Sequence, residues 1–385
     1  FFDKICTGDF MQIIGIVTEY NPFHNGHLYQ IKKIKEMYPD SVIIVAMSGN
    51  YTMRGEISVL DKWNKTNIAI NNGIDIVLEI PFIYSNQSSD IFSYAALKML
   101  NEFKIEKLVF GSETNNIDLL SLASSVQIDN KKFDSLVKDY MSKGYNYPSS
   151  IGKSIYELTG IKIKESNDIL GVSYIKEILK NKYNIKPISI KRTNNFKTNT
   201  KKSNIISAYE IREFLNKNES IKEYVPNNVT PYIKKVDYEK LFNLIKYKVI
   251  SEKNSLNKYH LIDEGIENRI YEGVIKCDNY DDLVKYISNK RVTINKVNRI
   301  LINIFVGLTK EEVSNKELSY IKILGLSKNG KKYYSKIKKD INIKVCNKFE
   351  KNVMNTELKA SYLYSIITND KSIFNSEIKE HTKVI

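Results

Sequence analysis

Apolar positions in the first half of the chain fall into short runs, separated by stretches that repeat with helical period. Residues 12–17 (Gln12, Ile13, Ile14, Gly15, Ile16, Val17) read as a first β-strand. Leu28, Ile31, Ile34 and Met37 then recur at helical spacing. Residues 41–47 (SVIIVAM) are almost wholly apolar, the pattern of a strand covered on both faces. A helix over 60–70 stops at Asn71-Asn72-Gly73, and a strand over 74–80 is closed by Pro81. Another helix over 90–103 precedes a strand over 107–110 that ends at Gly111. This alternation predicts an α/β fold with a parallel, doubly wound sheet and ligands at the carboxyl ends of its strands.

Residues 112–190 hold more helix, and 187–192 (PISIKR) form a last strand. Residues 193–204 (TNNFKTNTKKSN) are polar and basic, as in a mobile loop. Ser207 is an N-cap candidate for a helix over 207–215, with Glu210 three residues on. Beyond about Lys234 the alternation stops. Amphipathic segments at 238–250, 281–287, 294–304 and 357–367 predict a mostly α-helical second domain. Residues 1–10 precede Met11 and the first clean strand, and read as a leader outside the fold. The expected organisation is therefore 1–10 leader, 11–233 α/β domain and 234–385 basic helical domain.

Composition changes this picture in two respects. The 385 residues, 42% hydrophobic with 26 Tyr and 15 Phe, supply ample core for two or three domains. The net charge of +15 favours a polyanionic partner such as RNA, because each phosphate contact releases counterions. A general Lys and Asn bias would account for the same charge. Cys6, Cys277 and Cys346 are widely spaced without CxxC pairing, which supports neither a disulfide framework nor a zinc site and fits a reducing cytoplasm. No apolar stretch approaches the roughly 20 residues that span a bilayer, so no membrane association is expected.

The candidate chemistry lies directly after the first strand, in TEYNPFHNGH. Two of the four histidines, His24 and His27, sit there with Gly26 between them. A strand that turns through glycine into a helix offers free backbone N–H groups to an anion. His24 and His27 add side-chain donors for phosphate oxygens, and Gly26 admits close approach of a nucleotide. In nucleotidyl transfer charge builds on those oxygens, so fixed donors favour the transition state. The alternative is a pair of surface histidines capping a helix. Arg54 is a candidate anion contact, or a solvated loop residue. Trp63 reads as core, and Lys62 and Lys65 as facing phosphate or water. Lys285, Lys290, Arg291, Lys296 and Arg299 make 285–299 a candidate cationic surface for RNA phosphates, or an ordinary solvated face. His260 and His381 lack neighbours at metal-ligand spacing, so no resident metal is expected.

Strand–TEYNPFHNGH–helix resembles the HxGH nucleotidyltransferase superfamily, with its Rossmann-like sheet. The segments Ser48-Gly49-Asn50-Tyr51-Thr52-Met53-Arg54-Gly55-Glu56 and Asp61-Lys62-Trp63 are similar to the SGxFxQRGExxxxDKW stretch of the tRNA(Met) cytidine acetate ligases. So are Glu79-Ile80-Pro81-Phe82, Phe110-Gly111-Ser112-Glu113, Asn167-Asp168-Ile169-Leu170-Gly171 and Lys191-Arg192, in the same order. Softer similarity continues at Lys290-Arg291-Val292-Thr293 and Ile323-Leu324-Gly325. Tyr51, Met53 and Asp168 depart from the family's usual Phe, Gln and Asn. The resemblance implies a two-step ligase. Acetate attacks the α-phosphate of ATP to give acetyl-adenylate, and the wobble cytidine of elongator tRNA(Met) takes the acetyl group as N4-acetylcytidine. Mg²⁺ is expected to accompany ATP. By position, the resemblance implies catalytic roles for His24 and His27. It places nucleotide contacts on Val17, Thr18, Glu19, Tyr20, Asn21, Pro22, Phe23, His24, Asn25, Gly26, His27, Leu28, Tyr29 and Gln30, and on Gly111, Asn167 and Arg192. It also makes Arg212 a further candidate near the nucleotide. A small-molecule adenylyltransferase, an acetate ligase with another acceptor, and an RNA-binding module without activity are the competing expectations.

Overall fold

The computed structural model describes residues 11–192, 204–263, 265–314 and 317–385. The expected leader, and the expected loop over 193–204 except Asn204, lie outside those residues. The sheet is built from β1 (Ile13–Thr18), β2 (Val42–Ser48), β3 (Ile76–Ile80), β4 (Lys107–Ser112), β5 (Lys186–Lys191), β6 (Tyr320–Leu326), β7 (Lys344–Cys346) and β8 (Lys383–Val384). Its order is β5-β4-β1-β2-β3-β6-β7, with β8 also on β6. Strands β1 to β5 pair in parallel. The order reverses at β1, which lies between β2 and β4. That is the topological switch point where doubly wound sheets open a crevice.

Side-chain alternation along the central strands divides the core between two faces. Ile13, Val42, Ile44 and Ala46 enter the core on one face. Ile14, Ile16, Ile43, Val45 and Met47 enter the core on the other. Both faces are covered, which is why residues 41–47 carry almost no polar position. Trp63 is buried in the second of these cores.

The segment after Lys234 is mostly helical, with helices at Tyr238–Ser251, Ile266–Lys276, Tyr280–Ile287, Ile294–Val306, Asn355–Ile367 and Lys371–Lys379. Their core also takes in Tyr51, Ile57 and Phe82 from the first half of the chain. One expectation needs correction: this segment is not separate from the sheet, because it returns β6, β7 and β8 to it. Strand β6 (YIKILGL) is buried at every position and pairs antiparallel with β3. Lys322 interrupts its apolar run, which disguises a central strand as a mixed segment. β7 and β8 are only 3 and 2 residues long, too short to show a period.

Lys62 and Lys65 are both buried instead of facing water. Lys62 Nζ lies 2.6 Å from both Glu79 Oε1 and Glu377 Oε2, with 1% of its side chain exposed. Lys65 Nζ donates to the backbone carbonyls of Glu19, Ser48 and Gly49 at 2.8, 3.3 and 2.7 Å. A buried ammonium needs such partners, and here they tie the helix Lys62–Asn71 to the strand ends.

Candidate active site

β1 leaves the sheet at Thr18. Tyr20 follows in the left-handed region (φ 46°), the Asn21–Pro22 peptide is cis, and His24 is extended as the N-cap of the helix Asn25–Met37. The two imidazoles cap that helix reciprocally. Gly26 N–H donates to His24 Nδ1 at 3.0 Å, and His24 N–H donates to His27 Nδ1 at 3.2 Å. Their ring centroids are 3.8 Å apart. Because each Nδ1 accepts a hydrogen bond, the ring proton of each neutral imidazole sits on Nε2. Among the described residues neither Nε2 has an acceptor, so each ring retains one N–H to give. Burial pushes the His24 pKa down to about 3, assisted by Arg192 and Arg212. Burial, with His24 and Arg192 adding, holds His27 well below its ordinary value. Both rings are neutral donors near pH 7.

The two imidazoles do cap the helix, but not as surface residues: His24 is buried and His27 half-buried, and capping leaves each Nε2–H unused. Gly26 also has a reason within the turn itself. A Cβ there would stand 2.7 Å from His24 Cε1, so glycine makes room for the imidazole.

The turn opens onto a cleft of about 240 Å³ at the carboxyl ends of β1, β4 and β5. Of the expected nucleotide contacts, Val17, Thr18, Glu19, Tyr20, Asn21, His24, Gly26, His27, Tyr29, Gln30, Gly111, Asn167 and Arg192 line it. Pro22, Phe23, Asn25 and Leu28 are not among its lining residues. Phe23 is fully buried in the core and Leu28 packs against it. Asn25 Nδ2 donates to the carbonyls of Asn204 and Glu223 at 2.8 and 2.9 Å.

On the β4 side, Glu113 joins two expected contacts: Arg192 Nε lies 3.4 Å from its Oε1, and Asn167 Nδ2 donates to the same oxygen at 2.6 Å. Asp168, buried at 1% exposure, accepts from the N–H groups of Glu113 and Thr114 and from Ser112 Oγ. It thereby fixes the loop after β4, so the departure from Asn is accommodated by three donors. Gly111 leaves room for Arg192, whose Cγ would lie 3.3 Å from an added Cβ.

Opposite, Arg212 Nη1 donates to the Asn21 carbonyl at 2.7 Å and Nη2 lies 2.9 Å from Glu56 Oε2. Its helix, Ala208–Asn216, begins at Ser207 with the expected capping box to Glu210. Ser207, Ala208 and Tyr209 line the cleft, so a second helix N-terminus faces it. Arg54 and Met53 line it as well. The sequence did not single out Glu56, Phe92, Tyr174 or Tyr209 as lining residues. Glu56 closes the SGNYTMRGE motif, and the three aromatics read as ordinary helix positions.

The five basic candidates lie elsewhere, Lys285 exposed on the helix Tyr280–Ile287. Lys290 and Arg291 are exposed before the helix Ile294–Val306, and Lys296 is half-buried on it. Arg299 is half-buried and donates to the Met53 carbonyl at 3.3 Å. Gly55 (φ 76°) packs against its backbone, where a Cβ would approach Arg299 N to 2.4 Å. The helical segment thus touches the loop that lines the cleft.

Residues 11–379 match the family model described as HIGH Nucleotidyl Transferase. The chain belongs to that family. It is also 34% identical over 388 residues to a tRNA(Met) cytidine acetate ligase of Clostridium acetobutylicum, covering 93% of this chain and 96% of that protein. It is 38% identical over 299 residues to the one of Mycoplasma mobile, covering 77% and 99%. Within the family, the chain falls among the tRNA(Met) cytidine acetate ligases. The crystal structure of Thermotoga maritima TmcAL bound with alpha-thio ATP superposes with a TM-score of 0.88 at 25% identity, covering 97% of this chain and 100% of that one.

Proposed function

We propose that this chain is an ATP-dependent acetate ligase that acetylates the wobble cytidine of elongator tRNA(Met). One observation carries the catalytic part: two imidazoles at the switch point, each locked by its Nδ1 bond into presenting an Nε2–H to the cleft. MgATP is the substrate that such donors suit. An acetate oxygen attacks the α-phosphorus, the bond to the bridging oxygen breaks, and pyrophosphate leaves with the electron pair. His24 and His27 donate to the phosphate oxygens on which charge grows, and one such donor is worth about 10² to 10³ in rate. They need give up no proton, so their neutral state is the suitable one. Arg192 and Arg212 line the same cleft and supply fixed positive charge for the polyphosphate.

The acceptor side rests on the +15 charge and on the relatives' shared name. Lys290 and Arg291 are the exposed pair through which tRNA phosphates are engaged in this proposal. Among the described residues no helix is long and apolar enough to cross a membrane. Radiolabelled acetate incubated with ATP and total tRNA tests the proposal. Label should enter tRNA only when ATP is present and be recovered as N4-acetylcytidine. Label that settles on another acceptor, or on none, would contradict it.

A further inference from the structure

Attack by the cytidine amine on acetyl-adenylate releases a proton, and the cleft must provide for it. Few of its groups can. Each imidazole has its Nδ1 lone pair engaged by a backbone N–H and already carries hydrogen on Nε2. Lys191 Nζ donates to the Glu113 carbonyl. Only two carboxylates are among the described residues lining the cleft, Glu19 and Glu56. Glu56 is held by Arg212 at 2.9 Å.

Glu19 is different. It sits one residue beyond β1, on the strand end that leads into the histidine turn. Oε1 accepts from Met53 N–H at 2.6 Å, which fixes the carboxyl group against the 48–61 loop. Among the described residues Oε2 has no hydrogen-bond partner and no ion pair. One oxygen is anchored and the other is open to the cleft, as a positioned base requires.

We propose that Glu19 is the general base of the acetyl-transfer step. This rests on the ligase function proposed above. The cytidine N4 attacks the acetyl carbonyl carbon, a C–N bond forms, and an N–H proton passes to Glu19 Oε2. The C–O bond to the phosphate then breaks, AMP leaves with the electron pair, and the carboxyl later returns its proton to solvent. The first step moves no proton, so Glu19 acts as a base only in the second.

The surroundings suit this role. Burial raises the Glu19 pKa above its ordinary value, Met53 N–H opposes that, Glu56 adds to it, and Arg54 and Lys65 oppose it. Tyr174, on the helix Ser166–Lys180, lies close enough to feel the same charge. A carboxyl lifted in this way is a better proton acceptor than an exposed one.

Glu19→Gln keeps an oxygen for Met53 N–H and removes the base. The test compares two rates in the full-length protein. One is acetate-dependent exchange of labelled pyrophosphate into ATP; the other is single-turnover transfer from preformed acetyl-adenylate to tRNA(Met). Transfer is expected to fall about 100-fold or more, and far more than exchange. The wild-type transfer rate should climb as pH rises through the Glu19 titration, and Glu19→Gln should remove that dependence. Glu19→Asp, which retains a carboxylate set back by one methylene, should recover part of the rate. Equal losses in both steps would overturn the assignment, because Glu19 would then merely hold the loop. A pH dependence surviving in Glu19→Gln would also overturn it, as would a raised Mg²⁺ requirement for exchange, which would make Glu19 a metal ligand. A wild-type protein showing neither exchange nor transfer would defeat the ligase function itself, whatever the variant does.

Discussion

His24 and His27 hold each other in a single protonation state, and that state has a measurable signature. The neutral His24 ring, with its pKa near 3, stays unprotonated in the fold at acidities where an unfolded histidine, near 6.5, takes up a proton. The unfolded chain therefore binds more protons below pH 6.5, and stability falls as pH drops from there towards 3. Between pH 7 and pH 5 this one residue is expected to remove about 2 kcal/mol. Denaturant titrations of wild type and His24→Gln at the two pH values check this, because the variant should lose that part of the slope. Gly26 gives a second test at this scale. Gly26→Ala places a methyl 2.7 Å from His24 Cε1 and must displace the ring. Affinity for an ATP analogue, measured by calorimetry, should fall about tenfold or more while the melting temperature changes little. The motif itself stood out in the sequence because it uses half the histidines on one turn. The reason for its glycine did not, since the clash is with a side chain two residues away.

At the scale of elements, a buried charge cluster joins the two halves of the chain. Glu377, on the helix Lys371–Lys379, receives Lys322 of β6 at 2.7 Å and Lys62 at 2.6 Å, while Ser361 Oγ donates to it at 2.8 Å. Burial alone would raise the Glu377 pKa, but Lys62 and Lys322 outweigh it and draw it down to about 2. Its contribution is full above the unfolded value near 4.5 and is lost as pH falls towards 2. Glu377→Ala leaves two buried ammonium groups short of a partner and should destabilise the protein by about 3 to 5 kcal/mol in chemical denaturation. An effect below about 1 kcal/mol would mean the cluster adds nothing to the joint. The strands β1 to β4 were legible because apolar runs on a doubly covered sheet have no competing pattern, whereas β5 at the sheet edge has no fully buried position. β6 was not legible, because a lysine whose partner comes from residue 377 looks polar until that partner is placed. The same holds for Lys62 and Lys65, whose burial depends on long-range partners absent from their own neighbourhood.

For the whole molecule, the helical segment packs against the loop that lines the cleft through Arg299, Met53 and Gly55. A basic surface there could deliver an RNA to the nucleotide only if phosphates are its target. Affinity for tRNA should then fall steeply with added salt. Replacing Lys290 and Arg291 by Glu should weaken binding and flatten the salt slope by about one unit for each phosphate no longer neutralised. Filter binding across a salt series measures both. Net charge alone did not decide the partner, because a general Lys and Asn bias produces the same +15. The division of Lys290, Arg291, Lys296 and Arg299 between exposed and half-buried positions was not legible either, because helix phase and neighbours decide it.

The most direct measurement is acetate-dependent exchange of labelled pyrophosphate into ATP, comparing wild type with the His24→Ala, His27→Ala double variant. Wild type should exchange, and the double variant should be slower by about 10³-fold or more while still binding tRNA. Exchange at an undiminished rate without the two imidazoles would contradict their placement on the reacting phosphate.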